Sequence, residues 1–284
     1  MKIAITGATG QLGQLVIHYL LKEQAAANII ALVRSPEKAV DLKLQGIEVR
    51  HFDYDVPETL LPALHGIDKL LLISANEVGR RTPQHKAVID AAKAAHVPYI
   101  AYTSLLRANT SKLGLSQEHR ETENLIQASG LSYTFLRNNW YIENYLTAIA
   151  HVIETGTLLG AAQQGRINAA TRANYAEAAA KVLTSTGHEN KTYELASSES
   201  FTLTDLAQTI TELSGKAVHY QNLSAADYTQ RLLQAGLPKS LVDVIVDADL
   251  HTAEGAMYSI DKTLEQLIGH PTTSLQEAVK AAFH

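Results

Sequence analysis

The feature that most limits how this chain can fold lies at its N-terminus. Gly7, Gly10 and Gly13 directly follow the apolar run Ile3-Ala4-Ile5 and open a helical pattern. A glycine triplet in that setting predicts a dinucleotide-binding turn, although the spacing is GxxGxxG rather than GxGxxG. Gly7 lets the chain reverse out of the strand. Gly10 removes a side chain where backbone approaches a pyrophosphate, and Gly13 lets the helix lie close on the strand. Free N–H groups at the helix start, reinforced by the helix dipole, favour an anion. Thr9, Gln11 and Leu12 share the turn and join the three glycines as candidate cofactor contacts. Without a ligand, the same residues would form only a tight strand-to-helix turn.

Strand and helix patterns alternate through the first half. Strands are expected at Lys2–Thr6, Ile29–Arg34, Ile47–Phe52, Lys69–Ser74, Tyr99–Thr103 and Ser132–Leu136. Helical patterns occupy 11–22, 36–45, 57–64, 80–96 and 116–129. Strands separated by helix-length segments imply βαβ units, right-handed crossovers and an α/β, doubly wound parallel sheet of Rossmann type. Ser35-Pro36-Glu37 has the form of an N-cap, a first-turn proline and a dipole-favoured acid. Gly46 and Gly130 sit where helices end. Beyond this half, 170–190 is alanine-rich and helical and KTYEL at 191–195 is strand-like. Thr202 or Thr204 caps a further helix, a short strand follows at Ala217–Gln221, and Ser224 and Ser274 begin capping-box patterns. The expected organisation is a dinucleotide-binding domain over 1–158 and a smaller, mostly helical substrate-side lobe over 159–284. That boundary is soft, near 155–165, and the lobe is free to return segments to the sheet.

Composition removes several alternatives. The net charge is -5 and no basic cluster occurs, which argues against nucleic acid. Cysteine is absent, so disulfides and thiolate catalysis are excluded, and a cytoplasmic location fits. Glycines interrupt the N-terminal apolar run too early for a signal peptide. Apolar stretches such as Leu70–Ile73 are too short for membrane insertion. None of the 12 histidines lies three to five positions from another, so no metal site is expected. No GxSxG elbow is present.

The end of the second strand selects the dinucleotide. An acid there binds a ribose 2′-hydroxyl, and an arginine accommodates a 2′-phosphate. Here the strand ends in Val33-Arg34-Ser35, about twenty residues past the glycine turn, which points to NADP(H). The competing role for Arg34 is a solvated charge at a strand end. Asp53, after the third strand, is placed either near the adenine or as a cap of the next turn with Asp55. Ile73, Ser74 and Ala75 end the fourth strand beside the crevice.

Several segments together carry a family likeness: GATGQLG at 7–13, LVRSPEKA at 32–39, LLLISANEVGRRTPQHKAVIDAAKAA at 70–95 and YIAYTSLLRA at 99–108. EHRETENLI at 118–126, YTFLRNNWYIENYL at 133–146 and LIGHPTTSL at 267–275 extend it across the chain. The sequence resembles the NmrA-like, atypical branch of the short-chain dehydrogenase/reductases, and within it the bacterial type 2 NADPH:quinone oxidoreductases. The resemblance implies a flavin-free enzyme that passes hydride from NADPH to quinones. It leaves a homodimer open. Typical members of the superfamily use a YxxxK pair; here the tyrosine position falls on Leu115 and the lysine position on His119. Asn139 stands where the resemblance leads one to expect glycine, and its bulk is expected to alter the floor of the nicotinamide pocket.

A quinone is a strong hydride acceptor, so positioning is expected to matter more than acid catalysis. Candidates for the slot follow the sixth strand. Asn138 is placed to hydrogen-bond near the nicotinamide, and Trp140 and Tyr141 to stack on rings or simply to pack in a core. Tyr102 and Ser104 end the fifth strand, Ser104 being either a catalytic serine or a cap. His119 is the leading candidate for proton delivery, against a surface histidine beside Glu118 and Glu123. Two other readings stay open: an NADP(H) redox sensor without catalysis, and a reductase of other planar acceptors.

Overall fold

The computed structural model describes residues 1–283. Elements in chain order are β1 (Ile3–Ile5), α1 (Gln11–Glu23), β2 (Ile29–Val33), α2 (Val40–Leu44), β3 (Glu48–His51), α3 (Leu60–Ala63) and β4 (Lys69–Leu72). Next come α4 (Arg81–Ala94), β5 (Tyr99–Leu105), α5 (Ser116–Ser129), β6 (Ser132–Asn138), α6 (Glu143–Leu146), α7 (Ile149–Thr155) and β7 (Thr157–Gly160). The remainder are α8 (Arg172–Thr184), β8 (Lys191–Leu195), α9 (Leu203–Ser214), β9 (His219–Asn222), α10 (Ala225–Gln234), α11 (Lys239–Ala253), α12 (Thr263–Ile268) and α13 (Leu275–Ala281).

The described chain separates into two compact units. The first takes Met1–Asn109, Gln117–Asn138 and Arg172–Leu195; the second takes the intervening segments and the stretch from Ala196 onward. The first unit is built on a sheet of order β3-β2-β1-β4-β5-β6-β8, with every pairing parallel. Its central strands are continuous apolar runs, such as Ile3–Ile5 and Ile29–Val33, buried along their whole length. That is the signature of a sheet covered on both faces. One face packs Leu32, Phe52, Leu64, Val88, Ile100 and Tyr102 into a single core. Strand order reverses between β1 and β4, which is where an open parallel sheet leaves its ligand crevice.

Three expectations about local structure are refined by the fold. First, residues 172–195, placed in the lobe with a return to the sheet left open, belong to the first unit. Its strand β8 runs parallel to β6, from Thr134↔Lys191 to Asn138↔Leu195, and closes that edge of the sheet. Its helix α8 packs on α1 and buries small residues such as Ala176 and Ala180, and Lys181 bonds to Glu23 at 2.9 Å. Second, the helices expected at 36–45 and 57–64 each split into a 3₁₀ turn (Pro36–Lys38, Pro57–Thr59) and a short α-helix. Third, Ser35 makes no side-chain cap hydrogen bond, because Pro36 starts a 3₁₀ turn rather than an α-helix.

Other local signals hold. Gly46 and Gly130 adopt φ of +81° and +80°, where a side chain would be strained. In the second unit, Thr202 with Asp205 and Ser274 with Glu277 form complete capping boxes, and the Ser224 side chain accepts the Asp227 N–H. That unit also holds the parallel pair β7–β9 and a core of Ala161, Tyr228, Val242 and Val246.

Candidate functional site

The glycine turn is shaped by sterics more than by flexibility. Gly7 has φ +58°. A Cβ on Gly13 would stand 2.3 Å from the Gly7 carbonyl oxygen, a distance no side chain tolerates. Gly13 therefore packs on the turn itself rather than on the strand, a small correction to its expected role. Gly10 donates its N–H to the Gly7 carbonyl at 2.9 Å and sits at the N-cap of α1, with no side chain capping the helix. The first N–H groups of α1, at Gln11, Leu12 and Gly13, have no partner within the helix and open onto the crevice end of β1. Leu12 is buried, while Thr9 is exposed and accepts the Gln14 side-chain N–H on its carbonyl.

The exit of β4 is held by side chains from three elements. The N–H groups of Ile73, Ser74 and Ala75 donate in turn to Thr6 Oγ1 at 2.9 Å, Thr103 Oγ1 at 2.9 Å and His85 Nε2 at 3.0 Å. Ile73 also borders the space beside Gly7. The predicted residues of the turn and of the β4 exit are thus brought together along the switch point. Arg34, at the end of β2, is largely exposed and approaches Glu77 only to 3.6 Å. It is open to a ligand and has no internal packing role. Asp53 takes the capping role that was one of its two expected placements: its Oδ1 accepts the Asp55 N–H at 3.0 Å.

Asn138 closes β6 at the same end of the sheet. It is buried, and its Oδ1 meets no hydrogen-bond partner among the described residues. Buried amide oxygens are rarely left unpaired, so this one fits a donor from outside the chain. The unpaired α1 N–H groups and the orphaned Asn138 oxygen together fit a bound dinucleotide, and Gly13 holds the turn that presents them.

His119 corrects both of its expected placements. It is buried, not on the surface, and its Nδ1 lies 2.8 Å from the Tyr102 hydroxyl. Burial, then the nearby Arg81 charge, then His85 hold its pKa well below the ordinary imidazole range. An imidazolium that delivers a proton at neutral pH is therefore disfavoured; a neutral ring that donates one N–H is not. His85, one turn into α4, is likewise held down to about 3 by burial and by Arg81.

Ser104 is engaged elsewhere. Its hydroxyl donates to Glu123 Oε1 at 2.6 Å. Glu123 is gripped by Arg137 through two bonds of 2.9 and 2.7 Å, and Arg137 reaches Glu194 at 2.8 Å. The sequence hints at such a network only through Arg137, a charge near the end of the largely buried β6; α5 is polar along its length and singles out none of its carboxylates.

In the second unit, the Asn139 side chain does not project as bulk into a pocket. It donates to the Asn168 carbonyl at 3.1 Å and the Met257 carbonyl at 2.9 Å, and accepts the Trp140 N–H at 2.8 Å. The expectation of a perturbed pocket floor is replaced by a bracket joining three segments. Trp140 and Tyr141 are half-buried, and Tyr141 forms a bridge with Ala170. A cavity of about 150 Å³ in this unit, lined by residues including Ile142, Phe201, Asp205 and Leu275, contains no predicted site residue. Among the described residues there is no metal-holding cluster, and no helix is long and apolar enough to cross a membrane. Sequence reading overlooked Arg81 and His85, which gather with Tyr102 behind the β4 exit. They stand in the polar start of α4, where nothing in the sequence separates a buried charge from a solvated one.

Comparison with known proteins agrees with this geometry. Quinone oxidoreductase 2 of Escherichia coli (strain K12) is 54% identical over 282 residues, covering 99% of each chain. The crystal structure of the E. coli NADPH-dependent quinone oxidoreductase complexed with NADPH matches with a TM-score of 0.97, covering 99% of this chain and 100% of that one. The Citrobacter sp. triphenylmethane reductase complexed with NADP(H) is 41% identical with a TM-score of 0.96, covering 99% of this chain and 100% of its own. The NmrA-like family model spans residues 1–277. With that span and these relatives, the chain belongs to the NmrA-like family.

Proposed function

We propose that this protein is a flavin-free, NADPH-dependent oxidoreductase that reduces quinones. The observation that carries this reading is 54% identity, end to end, with E. coli quinone oxidoreductase 2, together with a crevice fitted to a dinucleotide. When bound, NADPH supplies the hydride. The residues of the chain bind and aim it: Gly7, Thr9, Gly10, Gln11, Leu12 and Gly13 at the diphosphate, Arg34 at the 2′-phosphate, Ile73–Ala75 along the ribose, and Asn138 at the carboxamide. Asp53 belongs beside the adenine in the same reading. His119 offers a neutral N–H to the acceptor, while Trp140 and Tyr141 are the ring-stacking candidates, in a second unit read as the substrate-side lobe. A cytoplasmic location accords with a chain that contains no cysteine.

The experiment is NADPH absorbance decay with simple quinones. Turnover with quinones supports the reading. Tight NADPH binding with no decay for any quinone would favour a redox sensor instead. Decay with triphenylmethane dyes but not quinones would move the substrate class toward that of the Citrobacter relative.

Arg34 gives a separate check. Its ion pair to Glu77, at 3.6 Å, is a surface pair, so Arg34→Asp should leave the fold intact. Losing a charged hydrogen bond to phosphate is worth about 1.5–3 kcal/mol, so NADPH Kd should rise by about 10- to 150-fold. NADH Kd should change by less than about threefold, since it lacks the 2′-phosphate. Isothermal titration with both cofactors decides it; equal losses would remove Arg34 from the phosphate.

A further inference from the structure

Histidine stands at position 119, where the YxxxK pattern carries its lysine, so α5 lacks the usual cation. A cation is found on α4 instead. Arg81 is buried, with 9% of its surface exposed, and its Nε donates to the Ala75 carbonyl at 2.6 Å. Its Nη1 is buried and has no hydrogen-bond partner among the described residues. No carboxylate among those residues forms an ion pair with the guanidinium. The Glu118 carboxylate turns to backbone instead, accepting from Gly79 N–H at 3.1 Å and Arg81 N–H at 3.0 Å. A buried, unneutralised guanidinium is costly, and such a group marks a place where negative charge arrives.

The negative charges of the dinucleotide have partners elsewhere. Its diphosphate suits the start of α1, and its 2′-phosphate suits Arg34. One charge remains, the one the reaction itself creates on the acceptor. We propose that Arg81 supplies the fixed positive charge of the reaction centre, in place of the lysine absent from α5, acting on the acceptor oxygen through His119. The inference rests on the quinone-reductase reading.

The step balances as follows. A C–H bond of the dihydronicotinamide breaks, and hydride (one proton with two electrons) bonds to the neutral quinone. The quinone becomes a hydroquinone monoanion, whose negative oxygen accepts the Nε2–H of His119. Water supplies the second proton. Arg81 is a positioning residue: its charge adds to burial in keeping the His119 ring neutral and stabilises the negative oxygen beyond it.

Every group facing His119 is consistent with that role. The Tyr102 hydroxyl lies 2.8 Å from Nδ1; in the proposed arrangement it donates there, and the ring proton sits on Nε2. Burial keeps the Tyr102 hydroxyl protonated. His85 is itself neutral, fixed by the Ala75 N–H on Nε2 and by Thr122 Oγ1 at 2.9 Å on Nδ1. On α5, Glu123 is committed to Arg137, Arg120 to the Ala108 carbonyl, and Glu118 to the backbone.

Arg81→Met removes the charge, and Arg81→Lys keeps it. In the Met variant, NADPH Kd by fluorescence titration should stay within about threefold of wild type, while kcat with a quinone falls by about 100-fold, the scale of losing one electrostatic stabiliser. The ¹⁵N imidazole signals of His119, neutral in wild type through the range where a free imidazole titrates, should titrate at higher pH in that variant. Lys should restore most of kcat and the neutral ring. A Met variant that binds NADPH at least about tenfold more weakly at unchanged kcat overturns the proposal and assigns the guanidinium to a phosphate. Unchanged kcat and unchanged His119 signals overturn it in favour of a structural brace. If the Met variant does not fold, a Lys variant whose kcat falls by about 100-fold overturns it too. The NMR and binding readouts need no quinone, so failure of the quinone reading is distinguishable from failure of this one.

Discussion

Glu123→Ala should cost about 3–5 kcal/mol of unfolding free energy, the scale of stranding one member of a buried ion pair. The side chains of Glu123 and Arg137 are 6% and 11% exposed, so water screens the pair poorly. Removing the carboxylate leaves the Arg137 Nε and Nη2 donors and the Ser104 hydroxyl without their acceptor. Only Glu194 and Asn109 remain on the guanidinium, both through Nη1. Glu123→Gln keeps two hydrogen-bonding atoms but loses the charge, and should fall between. Guanidinium denaturation reads both as lowered midpoints. A loss below about 1 kcal/mol for the alanine variant would mean that Glu194 alone neutralises Arg137, as an exposed pair would.

Asp249→Asn should do the opposite and stabilise the protein. Asp249 lies in α11 and is buried, with one bond of 2.7 Å from the Ala161 N–H to Oδ2. Tyr145, Tyr220 and Tyr228 surround it, and no cation pairs with it among the described residues. Burial raises its pKa from 3.8 to about 6, against the small opposing effect of that one bond. The folded state therefore holds the proton more tightly than the unfolded state. The penalty is absent below pH 3.8, grows as pH rises, and is complete above about pH 6. At about 1.4 kcal/mol per unit it reaches at most about 3 kcal/mol. Asparagine can still accept the Ala161 N–H but carries no charge. The variant should match wild type near pH 4 and exceed it in denaturation midpoint above pH 6. An equal gain at both pH values would show that the charge is not responsible.

The parts of the molecule that were legible in the sequence are those governed by local sterics and strand-end position. Gly13 must be glycine because its own turn leaves no room, and that turn is seven residues long. The exposure of Arg34 follows from its place just past β2. Capping by Thr202 and Ser274 is likewise decided within four residues. What was not legible depends on partners far along the chain. KTYEL reads as a strand anywhere, and only pairing with β6 places it in the main sheet. Asn139 looks like added bulk until the Asn168 and Met257 carbonyls come to meet it. His119 reads as a surface acid–base group because its neighbours in sequence are glutamates, whereas its neighbours in space are Tyr102, His85 and Arg81.

The return of 172–195 to the first sheet also governs the order in which the molecule can be made. When β6 leaves the ribosome its outer edge has no partner, and roughly fifty more residues must be translated before β8 arrives. At about 5–20 residues per second that wait lasts about 3–10 s. During it, a seven-residue strand with five buried positions presents an open pairing edge. The nascent chain is most vulnerable to misassembly in that interval, and a fragment ending near residue 158 would carry the exposed edge permanently.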